Sequence, residues 1–112
     1  MILHNYLSNS GRDLIYEYIN SLPEAEKIDG YTVLQHMEKG EFDKILFKRW
    51  EKKVYEVYFQ KNNRVFYITV DKANIYLLHF CRKQKNKTEK KDANIVRKRA
   101  KELGNMLGRK FI

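Results

Sequence analysis

The feature that most constrains this chain is a run of three β-rich segments joined by two very short connections. Residues 54–60, 64–70 and 75–81 are dense in β-branched and aromatic residues. Only Lys61-Asn62-Asn63 and Asp71-Lys72-Ala73-Asn74 separate them. Links this short cannot make a crossover, so the three segments must pair antiparallel as successive hairpins. In 64–70 the pleat places Phe66, Ile68 and Val70 on one face and Val65 and Tyr67 on the other. Both faces are apolar, so the middle of this sheet must be covered on both sides.

The rest of the chain supplies the covers. Residues 1–7 read as a short strand. Ser10-Gly11-Arg12-Asp13 fits a capping box, and Leu14, Ile15, Tyr18, Ile19 and Leu22 follow at helical spacing. Ser21-Leu22-Pro23-Glu24 repeats the start signal, with Pro23 expected in the first turn. Ile28, Tyr31, Leu34 and Met37 form the expected apolar stripe of this second helix; Gly30 counts against it and Gly40 is its expected stop. Residues 44–50 open the β-rich region. Residues 83–91 contain no apolar side chain and read as an exposed loop. Thr88 is the expected cap of a last helix, with Glu89 beside its dipole, Val96, Ala100, Leu103 and Leu107 as its stripe, and Arg97, Lys98 and Lys101 as its basic face. The expected class is α+β in one domain, 1–112: an N-terminal strand and two helices, an antiparallel four-stranded meander, and a C-terminal basic helix.

Charge is distributed unevenly. Residues 1–81 carry eleven Lys/Arg and eleven Asp/Glu, whereas 82–112 carry twelve Lys/Arg against Glu89, Asp92 and Glu102. The net charge of +9 therefore lies in the last quarter of the chain. A neutral body with one cationic edge is the footprint of a polyanion binder, although a solvated basic face is the commoner meaning of such a run. That edge lacks the bulky apolar face of a membrane-surface helix. No stretch is long and apolar enough to span a bilayer, and Met1-Ile2-Leu3-His4 has no basic leader region. Cys81 is the one cysteine, which excludes an internal disulfide and makes a reducing cytoplasm the expected compartment.

No phosphate-binding glycine loop and no Cys/His metal spacing occur, and His4, His36 and His79 are scattered. Cys81 alternates with Ile75, Leu77 and His79 and reads as a small core residue. What remains is basic residues beside aromatic ones: Lys48-Arg49-Trp50, Tyr55, Tyr58, Arg64, Tyr67 and the run 82–91. Aromatic rings can stack unpaired bases while Arg and Lys hold phosphates. Each tyrosine alone is more simply a strand former; the cluster as a whole points to nucleic acid.

Val54-Tyr55-Glu56-Val57, Asn63-Arg64-Val65-Phe66-Tyr67 and Tyr76-Leu77-Leu78-His79-Phe80 feed into Arg82-Lys83-Gln84-Lys85-Asn86-Lys87-Thr88. This succession resembles HigB-like toxins of the RelE/ParE superfamily over nearly the whole chain. Tyr58 stands where that family often has Arg, and Glu89 where it often has Pro. The resemblance implies a RelE-like, microbial-ribonuclease-type fold and a toxin of a type II toxin–antitoxin pair. It further implies an endoribonuclease that cuts mRNA on the ribosome by metal-independent attack of a 2′-hydroxyl on the adjacent phosphate, with no cofactor. Arg64, His79, Lys83, Lys85, Glu56 and Tyr67 are the catalytic candidates, and Lys48, Arg49, Tyr58, Arg82, Lys87, Lys90 and Lys91 the RNA-binding ones. An ion pair between Arg64 and Glu56 is the structural alternative for that pair, and a core role the alternative for His79. The implied partners are the ribosome, mRNA and a protein antitoxin of helix-turn-helix type, with no membrane; a homodimer and a toxin–antitoxin heterotetramer both stay open. Two rival functions are a ParE-like gyrase inhibitor and a non-enzymatic nucleic-acid-binding regulator, with a purely structural interaction domain the third.

Overall fold

A computed structural model describes residues 1–83 and 87–112. The elements run β1 (Ile2–Asn5), α1 (Leu14–Asn20), α2 (Glu24–Glu38), a 3-10 turn (Phe42–Lys44), β2 (Leu46–Glu51), β3 (Val54–Phe59), β4 (Asn63–Thr69), β5 (Asn74–Arg82) and α3 (Lys90–Leu107). They form an α+β domain around one sheet of order β1-β5-β4-β3-β2. From β2 to β5 every neighbouring pair is antiparallel, as the short turns require. The expected four-stranded meander needs one correction. The sheet has five strands and is mixed, because β1 joins β5 in parallel, Ile2 opposite Asn74 and Asn5 opposite Leu77. The pattern of residues 1–7 announces a strand but carries no information about a partner so distant in the chain.

Both faces are covered. Helices α1 and α2 bury Ile15, Ile19, Val33 and Met37 against Val57, Val65, Tyr67, Ile75, Leu77 and Phe80. Helix α3 buries Val96, Ala100 and Leu103 against Val54, Phe66, Ile68 and Leu78. Each fully buried aliphatic or aromatic side chain contributes about 1.5–3 kcal/mol, so the two layers are of comparable importance.

The helices depart from expectation in detail. Asp13, and not Ser10, caps α1: its Oδ1 accepts from Tyr16 N at 2.8 Å, while the Ser10 hydroxyl meets Ser8. Ser21 ends α1 and Pro23 takes the N-cap position of α2, one residue before the expected first turn. The buried face of α2 is Glu26, Gly30, Val33 and Met37, so Ile28, at 58% exposure, lies off the stripe. Gly30 is there because a Cβ would stand 3.2 Å from the Phe59 ring; the absent side chain lets α2 approach the sheet. Glu89, not Thr88, occupies the N-cap position of α3, and Leu107 is 36% exposed at its far end.

Two bulges re-aim side chains that strict alternation misplaces. The β4–β5 register shifts between Phe66 and Tyr67, where Phe66 faces His79 and Tyr67 faces Leu77. Leu78 is the extra residue, and both Leu78 and His79 turn toward α3. His79 therefore does not alternate with Ile75 and Leu77, which lie under α1 and α2. The β2–β3 register shifts around Trp50, whose ring packs edge-on against Phe66 at 5.2 Å while Glu51 pairs with Arg97 of α3.

Candidate functional site

The α3 face of the sheet carries an ionic cluster assembled from three strands. Antiparallel register sets Tyr58 of β3 opposite Arg64 of β4, and Glu56 opposite Phe66, so Glu56, Tyr58 and Arg64 share one face. Lys83 follows β5, and its N–H donates to the Asn62 carbonyl at 2.9 Å, which extends the ladder by one step. Glu56 Oε1 accepts from Lys83 Nζ at 2.9 Å and lies 3.3 Å from Arg64 Nε. The Arg64 contact is within ion-pair distance but lacks hydrogen-bond geometry, since Arg64 Nε has no hydrogen-bond partner among the described residues. The Arg64 guanidinium sits over the Tyr58 ring at 4.8 Å and donates through Nη1 to the Asn63 carbonyl.

Burial makes this cluster consequential. Glu56 is fully buried, Lys83 is 4% exposed and the Arg64 side chain 15%. With all three ionised, one carboxylate serves two cations and a positive charge is left over in a desolvated place. Such an excess is costly, and an incoming anion would offset it. Glu56 Oε2 is also buried, without a partner among the described residues. The expectation that 83–91 is an exposed loop is therefore wrong at its first residue. Lys83 has no apolar neighbour in the run that follows it, but its own methylene stem is enough to carry the ammonium inward to Glu56.

Beside the cluster lies a second polar group. His79 Nε2 meets Asp92 Oδ1 at 2.9 Å, and Arg99 Nη1 meets His79 Nδ1 at 3.3 Å. A guanidinium can only donate, so Nδ1 accepts and Nε2 carries the proton toward Asp92. Desolvation holds the imidazole below its ordinary value, with Asp92 opposing the shift and Arg99 adding to it. Arg99 also donates to the Leu78 carbonyl at 2.8 Å and lies over the Tyr6 ring at 4.1 Å. Both nitrogens of His79 are thus engaged in tying α3 to the sheet. Cys81 is buried on the same face, and burial pushes its thiol up to about 12, which disfavours the thiolate. Donor atoms of His79, Cys81 and Asp92 lie within 4.8 Å of one another. They fit a metal poorly: Nδ1 receives a donor where a metal-bound imidazole needs an acceptor, and Lys83, Arg64 and Arg99 all act on the group electrostatically.

Lys48 pairs opposite Glu56 on the same face and is exposed, as are Lys87 and, in the first turn of α3, Lys90 and Lys91. Arg64 and Tyr58 also open onto a 590 Å³ groove shared with Lys44, Lys61 and Asp29.

The family model described as Phage derived protein Gp49-like (DUF891) matches residues 17–101, from α1 through most of α3. The chain belongs to this Gp49-like family. It is a toxin-like family of toxin–antitoxin systems. No curated protein matches the chain. The matched span of the Gp49-like chain includes every residue of both polar groups.

The fold gathers Arg64, Glu56, Lys83, Tyr58 and Lys48 in one place; Lys87, Lys90 and Lys91 are exposed, and Lys91 acts electrostatically on His79. Three other sequence candidates point elsewhere. Tyr67 lies on the opposite face, 2% exposed among Phe42 and Tyr55, with its hydroxyl pushed up by burial. Arg49 shares that face with Tyr55, and Arg82 pairs there with the buried Glu26. Alternation of the pleat separates all three from Arg64. Lys85 lies outside the described residues. Asp92 and Arg99 were missed in the sequence, although a signal exists: with Val96 they recur at helical spacing within the buried face of α3, where charged residues need partners. The network of Asn63 with Glu26 (2.8 Å) and Tyr18 (2.6 Å) was missed as well, because a turn asparagine ordinarily needs no distant partner.

Proposed function

We propose that this Gp49-like protein is the toxin of a toxin–antitoxin pair and an endoribonuclease that cuts mRNA on the ribosome. The observation that carries the reading is the buried Arg64–Glu56–Lys83 cluster, one cation in excess, with the exposed Lys48 opposite Glu56. A phosphodiester is the anion such a place lacks. In the reaction the 2′-oxygen attacks phosphorus and the P–O5′ bond breaks, leaving a 2′,3′-cyclic phosphate and a 5′-hydroxyl. Arg64 binds the non-bridging oxygens and stabilises the charge that grows on them. Lys83, oriented by Glu56, supplies a proton toward the leaving 5′-oxygen. The 2′-hydroxyl proton leaves to solvent, because Glu56 is fully buried and serves to hold Lys83 in place, and Tyr58 backs the guanidinium. The ribosome and a protein antitoxin enter through the resemblance to HigB-like toxins and belong to the proposal.

Translating ribosomes programmed with a defined mRNA provide the test. The expected result is new 5′-hydroxyl ends within the open reading frame, reduced ~10²–10³-fold in rate by Arg64→Ala. Intact mRNA with folded protein overturns the reading. Intact mRNA together with inhibited gyrase points to the ParE-like function, and RNA binding without cleavage to the regulator.

A further inference from the structure

On the face of the sheet away from Arg64, at the β2–β3 end, four aromatic rings line a groove of 620 Å³. Phe42 and Tyr67 stack at 6.0 Å, Tyr55 and Tyr67 meet at 6.0 Å, Phe47 and Tyr55 at 6.4 Å, and Phe42 closes the circuit edge-on to Phe47 at 5.6 Å. Tyr67 is the buried floor and Phe47, 43% exposed, the outer wall. Arg49, Lys52, Lys53 and Thr69 complete the lining. No acidic residue lines the groove, and none of the three cations has an ion-pair partner among the described residues.

We infer that this groove is a second binding site, which stacks an unpaired base of single-stranded RNA on Phe47 and Tyr55 and holds the flanking phosphates with Arg49, Lys52 and Lys53. The size falls in the roughly 300–1,000 Å³ range of small-molecule sites. Aromatic walls favour the face of a base, and three unpaired cations favour its phosphates over an apolar or basic occupant. Protection of an exposed edge strand accounts for basic residues on β2 but not for the aromatic concavity beneath them. Lys52 gives a second sign. It has φ 52°, a left-handed turn conformation in which Gly or Asn is relaxed and Lys is strained. The lysine at this position, next to Lys53, adds charge to the lining of the groove.

The inference goes beyond the proposed cleavage and stands without it, because it concerns binding on the other face. The probe is a single-stranded RNA of about eight nucleotides. It carries 2-aminopurine at one internal position and 2′-O-methyl groups throughout, so that it cannot be cut. Stacking quenches 2-aminopurine, and this quench on the wild-type protein is the expected result. Phe47→Ala should remove the quench and weaken binding by about 5- to 150-fold, the equivalent of one stacked base at about 1–3 kcal/mol. Arg49→Gln/Lys52→Gln/Lys53→Gln should lower the slope of log K against log salt by about two, three phosphates at about 0.7 each. Lys72→Gln, exposed in the turn between β4 and β5 and outside both sites, should keep the quench. A folded Phe47→Ala protein that quenches like wild type overturns the inference. So does an unquenched wild type, or equal competition by polyglutamate, which would reduce the groove to unspecific charge. None of these outcomes depends on ribosomes or cleavage.

Discussion

The asymmetry of the Arg64–Glu56–Lys83 cluster makes a quantitative prediction. Removing Arg64 leaves Glu56 still bonded to Lys83 at 2.9 Å, so Arg64→Ala does not strand the carboxylate. What is lost is an ion pair at 3.3 Å with poor geometry and the contact with Tyr58, together about 1–2 kcal/mol. Removing Glu56 is different, because it leaves two cations facing each other, one of them 4% exposed. Breaking a buried pair from that side costs about 3–5 kcal/mol. Glu56→Ala should therefore cost about 1–4 kcal/mol more than Arg64→Ala, and for m near 2 kcal/mol/M its urea midpoint should fall by about 2 M. Against a total stability of about 5–15 kcal/mol that is a large share. Urea titrations of both variants, followed by far-UV circular dichroism, measure the difference. Glu56→Met/Lys83→Met should recover most of the loss, since a matched apolar pair needs no counter-charge, while the proposed nuclease activity stays absent. Equal costs for Arg64→Ala and Glu56→Ala would refute the reasoning, for Arg64 and not Lys83 would then be the principal partner of Glu56.

Three further outcomes are expected. Because burial lowers the His79 pKa in the fold, the neutral imidazole's contribution is fully present above about pH 6.5 and is lost as pH falls through the folded value; the unfolding free energy should drop by up to about 1.4 kcal/mol per pH unit in that window, with the slope reduced in His79→Gln, and parallel pH profiles for the two proteins would contradict this. Gly104→Ala places a Cβ against the backbone carbonyl of Arg109, which donates its N–H back to the Gly104 carbonyl at 2.9 Å; strain of about 1–3 kcal/mol should outweigh the ~1 kcal/mol helix-propensity gain, so calorimetry should show a lower Tm and not a higher one. Changing Lys48, Lys87, Lys90 and Lys91 together to Gln should leave the unfolding curve unchanged, since all four are exposed, but lower the salt slope of single-strand RNA binding by about 2.8; an unaltered slope in filter binding would remove these lysines from the interface.

How much of the molecule is legible in its sequence differs from element to element. The strands β3, β4 and β5 and the burial of both their faces follow from turn length and pleat, two local rules. The same count of alternation that sets Arg64 beside Phe66 also sets Tyr67 on the far face, so alternation alone argues against Tyr67 in the Arg64 cluster. The bulges at Leu78 and Trp50 are not foreseeable in this way, because an extra residue leaves no mark on composition; only the register reveals it. The burial of Lys83 depends on Glu56 two strands away, and a polar run in a sequence does not say which of its members finds a partner. Capping signals mislead for a related reason: Ser10 and Thr88 have the right chemistry, but neighbouring Asp13 and Glu89 hold the positions at the helix starts.

The parallel seam between β1 and β5 has a consequence for the order of assembly. Strands β2 to β5 close by hairpins, each joining residues near in sequence, whereas Ile2 finds Asn74 only after a loop spanning most of the domain has closed. Contacts of long sequence separation raise the contact order and slow folding, because their loop entropy is lost before they return any energy. The meander that carries Glu56, Arg64 and the end of β5 is accordingly expected to form the nucleus, with the N-terminal strand arriving last. Substitutions at the β1–β5 seam, such as at His4, whose Nε2 meets Asn74 Oδ1 at 2.8 Å, should then speed unfolding while leaving the folding rate nearly unchanged.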